Sequence, residues 1–208
     1  MTETMTNPFD YENFFIMFEK AGKHLYGENY TLQKRDMEIL MKLTAYFGKQ
    51  TEKAEELGIN LSKGIFLCGP VGAGKTSLIR IFRALLHYDL RFLIKPCRDI
   101  SYEFSSGGME VIFKYSKKHF NKAKPCTICF DDLGLEPNSS FFGIKANIMR
   151  EIILSRYDLF IVNRMITHFT TNFDVDEIEN NYGFEVRSRI REMCNIISFH
   201  KDTPDKRA

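Results

Sequence analysis

Eight consecutive residues, Gly69-Pro70-Val71-Gly72-Ala73-Gly74-Lys75-Thr76, restrict what this chain can fold into more than any other stretch. They fit the phosphate-loop pattern GxxxxGK(S/T) at every fixed position. Glycines at 69, 72 and 74 let the backbone curl so that successive N–H groups point inward, where phosphate oxygens would sit. Lys75 is spaced to reach the β- and γ-phosphates of a nucleotide, and Thr76 to offer Mg²⁺ a hydroxyl oxygen. The pattern carries weight only between a strand and a helix, and both neighbours are present. Lys63 to Cys68 is a short apolar run of strand type, and Ser77 to Leu86 has apolar residues at helical spacing. A helix starting on the loop adds the positive end of its dipole to the anion site. Residues 69–77, Ser77 included, are therefore the expected phosphate-binding set.

The remaining elements follow from periodicity. Phe14, Phe15, Phe18, Ala21, Gly22 and Leu25 predict an amphipathic helix over about 10–24, which either packs on the core or docks another protein. Thr31 is the expected cap of a second helix to about Gly48, and 49–63 a linker or short helix. Further strands are expected at 90–95, stopped by Pro96, at 125–130, at 164–172 and at 195–199. Helices are expected over 97–119 with a break at 105–108, over 144–158 and over 185–193. Strands alternating with helices make this an α/β chain. Its five-stranded sheet should be parallel, with helices on both faces and the ligand at the carboxyl ends of the strands. Residues 1–30 are expected to form an aromatic-rich helical segment and 31–208 the nucleotide-binding domain.

Two acids close the third strand. Cys126-Thr127-Ile128-Cys129-Phe130 runs straight into Asp131-Asp132. In a phosphate-loop ATPase a neighbouring strand delivers one carboxylate toward Mg²⁺ and a second acid polarises the attacking water. Asp131 is assigned the metal side and Asp132 the water. Asn172, at the tip of the next strand, is expected to hold that water, with a simple turn as the alternative. Cys126 and Cys129 form a CxxC, but residues three apart on a strand face opposite sides, so core packing is expected rather than metal binding. His168, inside a strand, is expected to be packed.

Composition bounds the rest. With 29 basic against 27 acidic residues, the net charge of +2 does not announce nucleic acid, so any basic surface must come from local clustering. Lys114, Lys117 and Lys118 supply one, with Tyr102, Phe104 and Tyr115 near in sequence; on a shared helix face they would suit single-stranded nucleic acid or simply face water. Five cysteines without framework spacing fit a reducing compartment. No apolar run approaches the ~20 residues of a membrane span. The expected location is cytoplasmic, with no membrane partner.

Five segments taken together resemble one family. They are GPVGAGKT, Phe130-Asp131-Asp132-Leu133-Gly134-Leu135-Glu136, Arg156-Tyr157, Thr170-Thr171-Asn172-Phe173, and the run from Tyr182 to Met193. In this order they are similar to AAA+ ATPases of the DnaC/IstB type, bacterial helicase loaders and transposition helpers. The resemblance covers about residues 35–200. It implies a phosphate-loop NTPase of AAA+ type, three layers around a five-stranded parallel sheet, with ATP and Mg²⁺ as cofactors. It also implies ATP hydrolysis in a homo-oligomer on single-stranded DNA, with a replicative helicase or a transposase as partner. Lys75 and Thr76 then bind phosphate and Mg²⁺, Asp131 and Asp132 are the paired acids, and Asn172 is the polar sensor. Arg189 stands where the family keeps an arginine that enters the neighbouring subunit's site; an exposed ion pair with Glu185 or Glu192 is its alternative. Contact with single-stranded DNA falls in the region of Lys114, Lys117 and Lys118. With the fifth strand at 195–199, no C-terminal helical lid is expected. A nucleotide-dependent protein-binding switch with little turnover is the competing function.

Overall fold

The computed structural model describes residues 9–137, 139–141 and 144–207; the first eight residues of the expected N-terminal segment lie outside the described residues. Five parallel strands form the central sheet: β1 (Gly64–Cys68), β2 (Leu93–Pro96), β3 (Ile128–Leu133), β4 (Thr167–Thr171) and β5 (Cys194–Ser198). Their spatial order is β2-β3-β4-β1-β5. Every residue of β1 and β4 is buried, as a parallel strand covered on both faces requires.

The period of two along each strand divides the core into two layers. Ile65, Leu67, Cys129 and Ile197 face one side. There they meet α1 (Tyr11–Tyr26), α2 (Met37–Phe47), the short α3 (Thr51–Glu56) and α4 (Lys75–Leu85). Phe66, Cys68, Ile128, Phe130 and Phe169 face the other. That layer holds α5 (Cys97–Gly107), α6 (Met109–Tyr115), α7 (Ile148–Asn163), α8 (Val175–Tyr182) and α9 (Phe184–Met193). The result is the expected three-layer α/β/α sandwich. Helix α1 lies on α4, with the Phe18 ring fully buried and 4.8 Å from Phe82.

His168 is packed as expected. It accepts a hydrogen bond from the Ile65 N–H at 3.0 Å, and Phe92, Phe47 and Tyr46 surround its ring. Burial pushes its pKa down to about 3, so the ring is neutral. Cys129 is sealed in the core, whereas Cys126 precedes β3; no metal-binding cluster of His, Cys, Asp and Glu occurs among the described residues.

Several expected boundaries move. Thr31 caps nothing: a 3₁₀ turn at Lys34–Asp36 leads into α2, which starts at Met37. The helix expected over 144–158 runs from Ile148 to Asn163 instead, because the Asn147 side chain caps it by accepting from the Arg150 N–H; residues 144–146 pair with 139–141 as a hairpin. Arg164, in the left-handed region at φ 55°, ends α7, so β4 begins only at Thr167. Helix α8 was not expected. Its start is a capping box, in which Asp174 accepts from the Glu177 N–H while the Glu177 carboxylate accepts from the Asp174 N–H. The helix expected to reach 119 stops at Tyr115, and Phe120–Asn121 pairs with Lys124–Pro125 in a small hairpin.

Candidate functional site

Strand β1 ends at Cys68, α4 starts at Lys75, and the six residues between them make the loop. Gly72 and Gly74 adopt φ values of 78° and 95°, which residues with a β-carbon rarely tolerate. Gly74 delivers the chain into α4 with the helix amino end facing the loop. Lys75 is only 5% exposed, and its ammonium donates to Gly69 O (2.7 Å), Pro70 O (2.8 Å) and Asn172 Oδ1 (2.8 Å). The tip of β4 is thereby tied to the loop through the very amide expected to act as sensor. Burial pulls the Lys75 pKa down to about 8, against the pull of the nearby Asp132 carboxylate.

That value has a testable consequence. Between about pH 8 and 10.5 the unfolded chain holds a proton on Lys75 that the fold gives up, so this group adds stability as pH rises through that window and loses it as pH falls. A bound phosphate reverses the preference. Above about pH 8, nucleotide binding is expected to take up as much as about one proton per site. Calorimetry in buffers of different ionisation enthalpy checks this; a binding enthalpy independent of buffer at pH 9 would contradict it.

The acids sit on the neighbouring strand. The Thr76 hydroxyl donates to Asp131 Oδ1 at 2.8 Å, and the Thr170 hydroxyl donates to the same oxygen at 2.6 Å. The Asp132 N–H in turn donates to Thr170 Oγ1 at 2.9 Å. One hydroxyl on β4 therefore orients both acids. Arg80 Nη2 approaches Asp131 Oδ2 at 3.6 Å. Consecutive strand residues ordinarily face opposite sides, but pairing here skips. Phe130 lies opposite Phe169 and Leu133 opposite Thr171, so Asp131 and Asp132 together oppose Thr170. Asp132 takes a φ of 57°, and this bulge turns it into the cavity at the loop. Burial, and then the Asp131 charge, raise its carboxyl above the usual range. Glu136 is turned away: it accepts from the Gly134 N–H at 2.8 Å and from the Tyr182 hydroxyl.

A cavity of about 630 Å³ opens over this cluster. Val71, Gly72, Gly74, Lys75, Thr76 and Ser77 line one end with Asp132 and Asn172, and Tyr30, Thr31, Leu32 and Gln33 line the other. Its size suits a nucleotide, and the loop and helix end suit phosphate. The hard oxygens of Thr76 and Asp131 suit Mg²⁺, which commonly takes one or two protein oxygens and completes its shell with phosphate and water. The tyrosine-bearing linker before α2 and the hydroxyl of Thr170 were not assigned from sequence. Neither has a fixed spacing from the loop.

Arg189 does not feature among the described residues lining this cavity. Neither alternative acid holds it: Glu185 pairs with Arg150 (3.2 Å), and Glu192 accepts from the Tyr157 hydroxyl (2.7 Å). Arg189 instead lies over the Tyr157 ring, 4.4 Å from its centroid, with Nη1 3.2 Å from the hydroxyl. The basic patch also differs from expectation. Because α6 ends at Tyr115, Lys117 and Lys118 leave the helix and the three lysines share no helix face. Lys114 pairs with Glu103 at 2.9 Å and Lys118 with Glu110 at 2.5 Å, while Lys117 sits near the Phe113 ring.

The sheet order, the loop on β1 and the acids at the end of β3 define an α/β phosphate-loop fold of the AAA+ type. Neither a family model nor a curated protein matches the chain. Solved structures do, and they show the version of the fold to be DnaC-like. The crystal structure of the DnaC helicase loader matches with a TM-score of 0.57 at 16% identity, covering 88% of this chain and 99% of that one. A putative primosome component from Streptococcus pyogenes serotype M3 matches at 0.52 and 15% identity, covering 83% of each chain. DnaI matches at 0.50 and 23% identity, over 68% of this chain and 72% of its own. Among the described residues no helix is long and apolar enough to cross a membrane.

Proposed function

We propose that this chain is an ATPase that binds ATP with Mg²⁺ and hydrolyses it. The observation that carries this is the convergence of Lys75, Thr76, Asp131, Asp132 and Asn172 at the carboxyl ends of β1, β3 and β4, around one cavity. In this reading the loop N–H groups and Lys75 bind the phosphates, while Thr76 and Asp131 hold the cation. Asp132 takes a proton from the attacking water, which Asn172 orients. The metal, when bound, neutralises charge on the phosphates. Residues 31–208 form the ATPase domain, and 1–30 a segment appended to it whose described part carries α1.

We extend the proposal to a cytoplasmic accessory role in DNA metabolism. The chain forms homo-oligomers through Arg189 on single-stranded DNA and assists a replicative helicase. The likeness to the DnaC helicase loader and to a primosome component supports the helicase reading; a transposase is the alternative partner. The acid pairing of Lys114 and Lys118 favours a second reading, a nucleotide-dependent protein-binding switch with little turnover. Calorimetry with MgATP tests the core proposal. Lys75→Ala is expected to abolish tight binding, and an unchanged affinity would overturn it. Single-stranded DNA is expected to stimulate hydrolysis. Replacing Lys114, Lys117 and Lys118 with Gln should lower both DNA affinity and its salt slope, the slope by ~0.7 for each phosphate left without its lysine. Turnover indifferent to DNA would select the switch.

A further inference from the structure

Beyond Ser198 the chain turns back over the phosphate loop. The Phe199 N–H donates to Cys68 O at 2.8 Å, prolonging the β1–β5 ladder, and the Lys206 N–H donates to Gly72 O at 3.1 Å. A β-carbon on Gly69 would come within 2.6 Å of Phe199 Cβ, and one on Gly72 would collide with the Asp205 carboxylate. Gly69 is thus needed for the close approach of this strap as well as for its own backbone angle, whereas at Gly72 the Asp205 carboxylate could swing aside. The Lys206 ammonium is paired with Asp36, ahead of α2, and sits 5.2 Å from the Phe199 ring centroid. Asp36 is itself 3% exposed, so the latch is inside the protein.

Held at both ends, the strap brings Arg207 to the wall of the cavity that Lys75, Thr76, Asp132 and Asn172 also line. The Arg207 side chain is 69% exposed, and its described hydrogen bonds go to Asp205, two residues earlier. A planar guanidinium on the wall of a cavity that a buried ammonium and a phosphate loop also line is a fork for phosphate oxygens.

We propose that Arg207 is a ligand of the terminal phosphate in this chain's own nucleotide site, and that Lys206, through Asp36, is its positioning residue. The proposal rests on the ATP-binding reading above and deepens it. Lys75 and Asp132, which line the same cavity as Arg207, are the groups that reading sets at the terminal phosphate. A diphosphate lacks the group Arg207 would hold. Arg207 therefore selects triphosphate over diphosphate, whereas the loop N–H groups hold both.

The test is the ratio of affinities for Mg-bound ATPγS and ADP, measured by calorimetry on the full chain. Arg207→Ala is expected to weaken ATPγS binding about 10- to 100-fold and ADP binding no more than about 3-fold. Arg207→Lys should recover part of the difference. Lys206→Ala should lower the same ratio without emptying the site, a result that a merely structural latch would not give. Arg207 is exposed, and unchanged thermal unfolding of Arg207→Ala would show the fold intact. A parent chain that binds both nucleotides, with a ratio untouched by Arg207→Ala, overturns the strap proposal alone. A parent chain that binds neither nucleotide overturns the ATP-binding reading and this proposal with it.

Discussion

Arg189→Ala is expected to retain MgATP and to hydrolyse it about 10³- to 10⁵-fold more slowly, the range over which a trans-acting arginine stabilises a transferring phosphoryl group. Its place in the structure motivates the figure. Arg189 lies away from its own chain's cavity, over the Tyr157 ring rather than on a carboxylate. A cation–π contact of this kind is worth about 0.5–1 kcal/mol at an exposed site, so the guanidinium can be given up cheaply to phosphate. Tyr157 is held by Glu192, which keeps the ring in place as the arginine leaves. Mixing variants distinguishes a shared site from a local effect. Lys75→Ala subunits have no working loop but carry an intact Arg189, and Arg189→Ala subunits are the reverse. Mixed, they should recover part of the activity. No recovery at any ratio, with co-assembly demonstrated, would rule out a site completed between subunits.

The second large effect is on stability. Arg156 is completely buried and has no carboxylate partner among its described contacts. Nε donates to Thr167 Oγ1 (2.7 Å), Nη1 to Tyr115 O (3.0 Å), and Nη2 to Ile166 O (2.9 Å) and Cys126 O (3.1 Å). Burial lowers its pKa to about 9, still above neutrality, so the group remains charged. Arg156→Ala would strand three carbonyls and a hydroxyl in the core and leave a cavity under Phe130. A loss of about 3–5 kcal/mol is expected, read as a lower urea midpoint. A folded variant losing less than about 1 kcal/mol would contradict this account. The damage would also reach the site, since these bonds anchor the entries to β3 and β4, whose far ends carry Asp131 and Asn172.

What could be read from the chain in advance divides along physical lines. The strand before the loop, the helix after it and the apolar run into Asp131-Asp132 are local patterns, and the sheet followed from their alternation. Features set only by tertiary packing were not legible. Nothing in the composition of 199–207 says that it folds over the loop, and nothing in Lys114, Lys117 and Lys118 says that the helix beneath them stops at Tyr115. The α8 capping box is a different case. Asp174 and Glu177 stand at the right spacing, but Asn172-Phe173-Asp174 also reads as a turn, and the turn reading hid the helix start.

The skipped residue at the end of β3 has a mechanical side. Pairing is locked at Phe130–Phe169 on one flank and resumes at Leu133–Thr171 on the other. The doublet between is like a crank between two bearings: it has room to swivel but not to slide. The Thr170 hydroxyl is the pin, gripping the Asp131 carboxylate and the Asp132 amide at once. Deleting one residue here would restore a straight strand with Leu133 still opposite Thr171 on the Phe130 face, and only one acid would remain between them. Because this strand is one residue too long for its neighbour, Asp132 turns into the cavity while the adjacent Asp131 stays beneath it on the Thr76 hydroxyl.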